Sequence, residues 1–134
     1  MTGETDLGFL LRNMKPKHVP GEYVFCSMDE SNEMMVETPL LVFREDEGLT
    51  VVIPREVAES YQLEFESTWG LITLSVQSDL TAVGFLARIT HVLAQAGVSV
   101  NVVSAYYHDH LFVPFTEIEP VMELLTSLSE NHSE

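Results

Sequence analysis

The sequence predicts an α+β fold made of two ferredoxin-like βαββαβ units, with antiparallel sheets, helices on one face and a strand shared between the halves. Three observations predict it. Ala82, Leu86, Ile89, Leu93 and Ala96 recur at alternating spacings of four and three, which marks one apolar stripe of a helix. Directly after Gly97, residues 98, 100 and 102 are all valine, the two-residue alternation of a half-buried strand. Finally, LLVFREDEGLTVVIPREVAE (40–59) and VNVVSAYYHDHLFVPFTEIEPVMELL (100–125) both read strand, acidic turn, strand, proline, acidic helix start. A strand precedes each, which is the split βαβ pattern twice over.

Each element follows from local chemistry. Asp6 can cap a short helix over 7–13, with Leu7, Leu10, Leu11 and Met14 on one stripe, ended by Lys15-Pro16-Lys17. Pro20-Gly21 turns the chain into a strand at 22–28, and the polar segment 29–37 is read as a loop replacing the first helix of the first copy. Residues 40–44 and 49–53 form a hairpin through the acidic connection 45–48, and Pro54 opens a short helix at 55–60. Residues 63–67 and 69–77 are β-rich, with an interruption expected near Gly70. Ser78, Asp79 and Thr81 are candidate caps for the long helix, and Gly97 suits its left-handed exit. The strand at 98–107 turns back through Tyr107-His108-Asp109-His110 into 111–115. A last helix carries Ile118, Val121, Met122, Leu125 and Leu128, with Thr116 and Glu119 at capping-box spacing and Pro120 in conflict with that register. The polar tail from Ser129 leaves the second copy one strand short, so the N-terminal part is expected to fill the gap. The expected domain division is 1–67 and 68–134.

Composition limits the function classes. Hydrophobic residues are 46% and charged residues 20%, enough apolar surface for one modest core or two small ones. The net charge is −15, and all six Lys and Arg lie at or before Arg88. A nucleic-acid backbone would be repelled, so no nucleic-acid partner is expected. No run reaches the length of a membrane span and no secretion signal opens the chain, so a cytoplasmic protein without membrane attachment is expected. Cys26 is the only cysteine, which excludes an internal disulfide and fits a small apolar strand residue.

The segment GLITLSVQSDLTAVGFLARITHVLAQAGVSVNVVSAY resembles an ACT domain, the small-molecule regulatory module of amino-acid metabolism. The matching features are Trp69, the helix residues 84–89, the run 93–100 and the strand end Phe112-Val113-Pro114. The whole chain resembles small stand-alone proteins with two ACT-like halves, more clearly over 69–128 than over 20–68. The resemblance implies binding rather than catalysis, with an amino acid or similar metabolite held at an ACT–ACT interface. Carried onto this chain, the ligand contacts are Ser78, Asp79, Leu80, Thr81, Ala82, Val83, Gly84, Ser99, Val100 and Asn101.

The residues there have suitable chemistry. Gly84 admits a ligand close to the backbone or permits close helix–sheet packing. N–H groups of a helix start can hold a carboxylate. Asn101 both donates and accepts, and Asp79 either pairs with an ammonium group or simply caps. Many ligand-binding ACT domains carry an acidic residue and proline-glycine here; Val83 stands at the proline position, so the loop is differently shaped.

The expected function is therefore a non-enzymatic regulatory or sensor protein that binds an amino acid, forms a homo-oligomer and uses no cofactor and no metal. The alternative is a protein-interaction or dimerisation module with a vestigial site. A catalytic or metal role for His108, Asp109 and His110 ranks last, because a hairpin turn accounts for them.

Overall fold

The computed structural model describes residues 5–29 and 38–131, so the expected loop at 29–37 lies, apart from Asp29, outside the described residues. The fold is mixed α+β. The chain divides into two compact units, one made of residues 1–20 and 70–134 and the other of 21–69.

The smaller unit is a three-stranded antiparallel sheet carrying one short helix. Its strands are the second part of β1 (Pro16–Met28), β2 (Leu41–Glu45) and β3 (Gly48–Pro54), in the order β2–β3–β1. Asp46 and Glu47 make the tight hairpin turn, with Glu45 opposite Gly48. Gly48 has φ +150 and its missing Cβ would meet the Met28 carbonyl oxygen at 2.8 Å, so close backbone approach fixes glycine there. Alternate residues of β1 and β3 bury Val24, Cys26, Met28, Leu49, Val51 and Ile53 beside Ala58 of α2 (Arg55–Ser60). Cys26 is buried, and desolvation pushes its thiol pKa up, as suits an inert packing residue. Trp69 meets Phe25 edge-on, with ring centroids 5.9 Å apart.

The larger unit has strand order β1–β4–β6–β5, with β4 at Trp69–Leu74, β5 at Asn101–Ser104 and β6 at Asp109–Pro114. Pro16–Pro20 is the part of β1 that belongs to this unit. Helices α1 (Leu7–Arg12), α3 (Phe85–Gln95) and α4 (Ile118–Glu130) pack on the sheet face bearing Ile72, Leu74, Leu111 and Val113. Asp6 caps α1 as expected, its carboxylate accepting the Phe9 N–H at 2.9 Å. Leu10, Leu11 and Met14 are fully buried in this core. The Met14 carbonyl accepts from the N–H groups of Ser75 and Val76, and the Ser129 hydroxyl donates to the Arg12 carbonyl at 3.0 Å.

Several sequence expectations need correction. Pro20-Gly21 is not a turn: β1 passes through it, with Gly21 at φ +126. Residues 63–67 form no strand, and β4 is continuous across Gly70. Helix α3 starts only at Phe85, with Gly84 as its left-handed N-cap and no capping side chain, so Ser78, Asp79 and Thr81 do not cap it. β5 is shorter than expected and begins at Asn101, although Val98, Val100 and Val102 do pack against the core. The turn before β6 is 105–108, which leaves Asp109 and His110 inside the strand. Thr116 sits in a 3₁₀ turn and caps nothing. Pro120 is the third residue of α4, where its missing N–H would have no helical partner anyway.

Gly97 ends α3 as expected. Its N–H donates to the Ala94 carbonyl and that of Val98 to the Leu93 carbonyl, the two bonds of a Schellman motif. Gly97 has φ +75 and open space where a Cβ would stand. Gly97→Ala should therefore cost only the left-handed backbone penalty, about 1–2 kcal/mol, measured by urea unfolding with an unchanged denaturant slope.

Candidate functional site

The site is built where β4 ends, α3 begins and the β5–β6 hairpin returns. Strand alternation sets its floor. Leu111 and Val113 face the helices, so Asp109, two residues earlier on the same face, points under them too. Asp109 is 5% exposed and Ser78 8%, the two buried polar residues of the described chain. The Ser78 hydroxyl donates to Asp109 Oδ2 at 2.8 Å, tying the loop after β4 to the start of β6. Ser104 stands opposite Asp109 in the hairpin register.

Above this floor the loop 78–84 makes a tight turn. Asp79 Oδ1 accepts from both the N–H and the hydroxyl of Thr81, and the Ala82 N–H donates to the Asp79 carbonyl at 2.9 Å. Gly84, at φ +91, then swings the chain into α3, with the Leu7 side chain of α1 3.8 Å from where a Cβ would stand. The first-turn N–H groups of α3 have no side-chain cap, and the helix opens with the Arg88 N–H donating to the Gly84 carbonyl.

These elements enclose a cleft of about 120 Å³ lined by Ser78, Asp79, Leu80, Ala82 and Gly84, by Phe85, Leu86 and Ala87 of α3, and by Ser104 and Asp109. Five of the residues expected from the sequence thus line one cleft. Thr81 and Val83 belong to the same loop but turn outward, Val83 being 84% exposed. Ser99, Val100 and Asn101 do not line it. Asn101 pairs with Phe112, three residues along β5 from Ser104, or about 10 Å. Sequence reasoning missed Ser104, Asp109 and the first turn of α3. Counting back by twos from Leu111 and Val113 would have placed Asp109 on the buried face.

His110 points to the other face of β6, where its Nδ1 is hydrogen-bonded to the Thr73 hydroxyl at 2.9 Å. Desolvation, then the neighbouring His108, lower its pKa below 6.5, against a smaller upward pull from Asp109. The unfolded chain therefore binds this proton more readily than the folded one. Stability should fall as pH drops below about 6.5 and level off below the folded pKa. Acid-range melting curves should show that loss reduced in His110→Gln. Among the described residues no group of three or more His, Cys, Asp or Glu could hold a metal ion, and no helix is long and apolar enough to cross a membrane.

The ACT domain family matches residues 2–69 and again 64–127, so the chain belongs to the ACT-domain family and carries two such domains in tandem. No curated protein matches the chain. Among solved structures, a Vibrio cholerae protein of unknown function, described as a possible transport protein, is 39% identical. It has a TM-score of 0.82, with 92% of this chain and 95% of that one covered. An Agrobacterium tumefaciens protein is 19% identical with a TM-score of 0.65, covering 85% of this chain and 87% of that one. A structure of aspartokinase alpha and beta subunits shares the fold at 10% identity and a TM-score of 0.61, covering 84% of this chain and 95% of that one. ACT domains are generally ligand-binding regulatory domains, and they point to a regulatory, non-catalytic role.

Proposed function

We propose that the protein is a non-enzymatic sensor that binds an amino acid in the cleft between loop 78–84, the start of α3 and the β5–β6 hairpin. Each ACT-like unit in this reading follows the ferredoxin-like βαββαβ plan, with the family boundary near residues 67 and 68. The observation that carries the reading is the uncapped first turn of α3 opening onto a cleft. Those N–H groups suit a carboxylate, and the helix dipole favours one there. About 120 Å³ is less than the several hundred of a typical enclosed site. The ligand would extend beyond the cleft, where a neighbouring ACT unit from a second chain would cover it. Ligand binding would then shift the association of chains, which requires the ligand to favour one assembly over the other.

Calorimetric titration of each of the twenty amino acids tests this. One of them should bind, and the same one should raise the melting temperature. Silence across the whole set at millimolar concentration would remove the reading.

A second reading is an interaction module with an unused cleft. Val83 at 84% exposed favours it, since a loop serving only a small ligand has no need of an outward apolar side chain. Sedimentation of the Val83→Asp variant separates the two. Dissociation of an assembly that no amino acid influences would favour the module.

A further inference from the structure

We infer that His108 and His110 form a two-point site for a nitrogen-seeking divalent transition metal, of the zinc and copper class, on the β5–β6 hairpin. The inference goes beyond the amino-acid reading and does not depend on it. The hairpin turn occupies residues 105–108, so turn chemistry does not account for His110, which stands in β6. Strand alternation sends His110 to the face opposite Asp109. His108 lies beside it, with ring centroids 6.4 Å apart and ring planes at 81°. Both residues are half-buried.

The Thr73 hydroxyl of β4 lies 2.9 Å from His110 Nδ1. That bond holds the ring and occupies Nδ1. With the proton on Nδ1 and the hydroxyl accepting it, Nε2 is left with a free lone pair. Metal-bound histidines generally give their other ring N–H to an outer acceptor of this kind. A nitrogen-to-metal distance of about 2.0–2.1 Å lets one ion join two rings whose centroids are at most about 6.5 Å apart. The observed pair is inside that limit. A tetrahedral shell needs the rings about 1 Å closer, which rotation of the His108 side chain supplies while Thr73 holds His110 in place.

Imidazole nitrogen suits zinc, copper and nickel, whereas magnesium and calcium take oxygen ligands. Among the described residues no third His, Cys, Asp or Glu joins the pair, so water completes the shell and the ion exchanges with solvent. The net charge of −15 attracts every cation, so preference for a nitrogen-seeking ion is what distinguishes the site. A bound ion would tie the turn at 105–108 to β6. The same hairpin carries Ser104 and Asp109 of the cleft wall, so the metal would stiffen the cleft without entering it.

The test uses the full chain, free of any histidine tag and stripped of metal by EDTA. Its amide signals are followed by NMR while zinc chloride and, separately, magnesium chloride are added. Zinc should bind saturably and shift His108, Asp109 and His110 first. Thr73→Val should weaken it about tenfold, the usual cost of losing an outer acceptor, and His108→Gln or His110→Gln by more. His91→Gln, on α3, should leave it unchanged. Should His110→Gln fail to fold, His108→Gln carries the test, since residue 108 lies in the turn. Unchanged affinity in folded His108→Gln or His110→Gln overturns the inference, as does zinc whose first shifts fall around His91. Magnesium binding as tightly as zinc overturns it too, as does the absence of saturable zinc binding at millimolar concentration. Unchanged affinity in Thr73→Val, with loss in both histidine variants, upholds the site and overturns the part given to Thr73.

Discussion

Replacing Gly70 by valine is expected to destabilise the larger unit by about 1–3 kcal/mol or more, the cost of overpacking a filled core. Gly70 lies buried in β4, and a Cβ there would stand 2.1 Å from Ile118 Cδ1 and 2.5 Å from Cγ1. Its φ is not in the left-handed region, so what the position needs is the absence of a side chain, not glycine's freedom. Glycine within a strand marks close approach by another element, and here that element is the first residue of α4. One atom of Ile118 could rotate away, but two lie within contact distance on a side chain that is itself 8% exposed. Truncating Ile118 should therefore make room. In a double-mutant cycle read by urea unfolding, Gly70→Val with Ile118→Ala should cost clearly less than the sum of the single changes. Strict additivity would mean that the sheet and α4 do not meet at this point.

The same glycine shows where sequence reading stops. Local chemistry was legible: the Asp6 cap, the Asp46-Glu47 turn, Pro54 before α2 and the Gly97 exit all act within a few residues of themselves. Gly70 looked like an interruption because its reason lies 48 residues away, at Ile118. The start of α3 was misplaced for a related reason. Three good capping residues precede it, but Asp79 spends its carboxylate on the Thr81 turn and the left-handed Gly84 opens the helix instead. The apolar stripe ran on to Ala82 and Ala96 because alanine satisfies any period. Phe85, Ile89 and Leu93 are the residues that the helix buries. Val98 and Val100 alternate like strand residues and pack on the core, but alternation reports burial and not pairing, so β5 begins later. Asp109 carried two signals in conflict: aspartate favours turns, while its spacing to Leu111 and Val113 favours the buried face. The second prevailed because Ser78 supplies a hydrogen bond there. Half of the cleft lies on one loop and could be read as a run. Phe85, Leu86 and Ala87 continue it on α3, while Ser104 and Asp109 arrive on a hairpin that only the tertiary fold brings back.

Cutting the chain to residues 68–134 is expected to abolish cooperative folding of the larger unit, although this fragment holds all but the first four residues of the ACT match over 64–127. Residues 5–20 belong to that unit. Leu10, Leu11 and Met14 are fully buried among Ile72, Leu74, Phe85, Ile89, Leu111 and Leu125. Leu10→Ala alone should cost about 2–5 kcal/mol, because a Leu-sized hole in a packed core does not fully collapse. Removing the whole segment deletes three such side chains and the strand neighbouring β4, and leaves the Ser75 and Val76 N–H groups without the Met14 carbonyl. Typical domain stability is about 5–15 kcal/mol, so the combined loss reaches the whole of it. Near-ultraviolet circular dichroism and heat melting of the fragment should show no cooperative transition. A synthetic peptide of residues 5–20, added in trans, should restore one in a concentration-dependent way, since it binds only the folded form. A fragment that melts cooperatively without the peptide, at the temperature of the full chain, would show that the strand and helix ahead of Gly21 are dispensable to the unit whose core they fill.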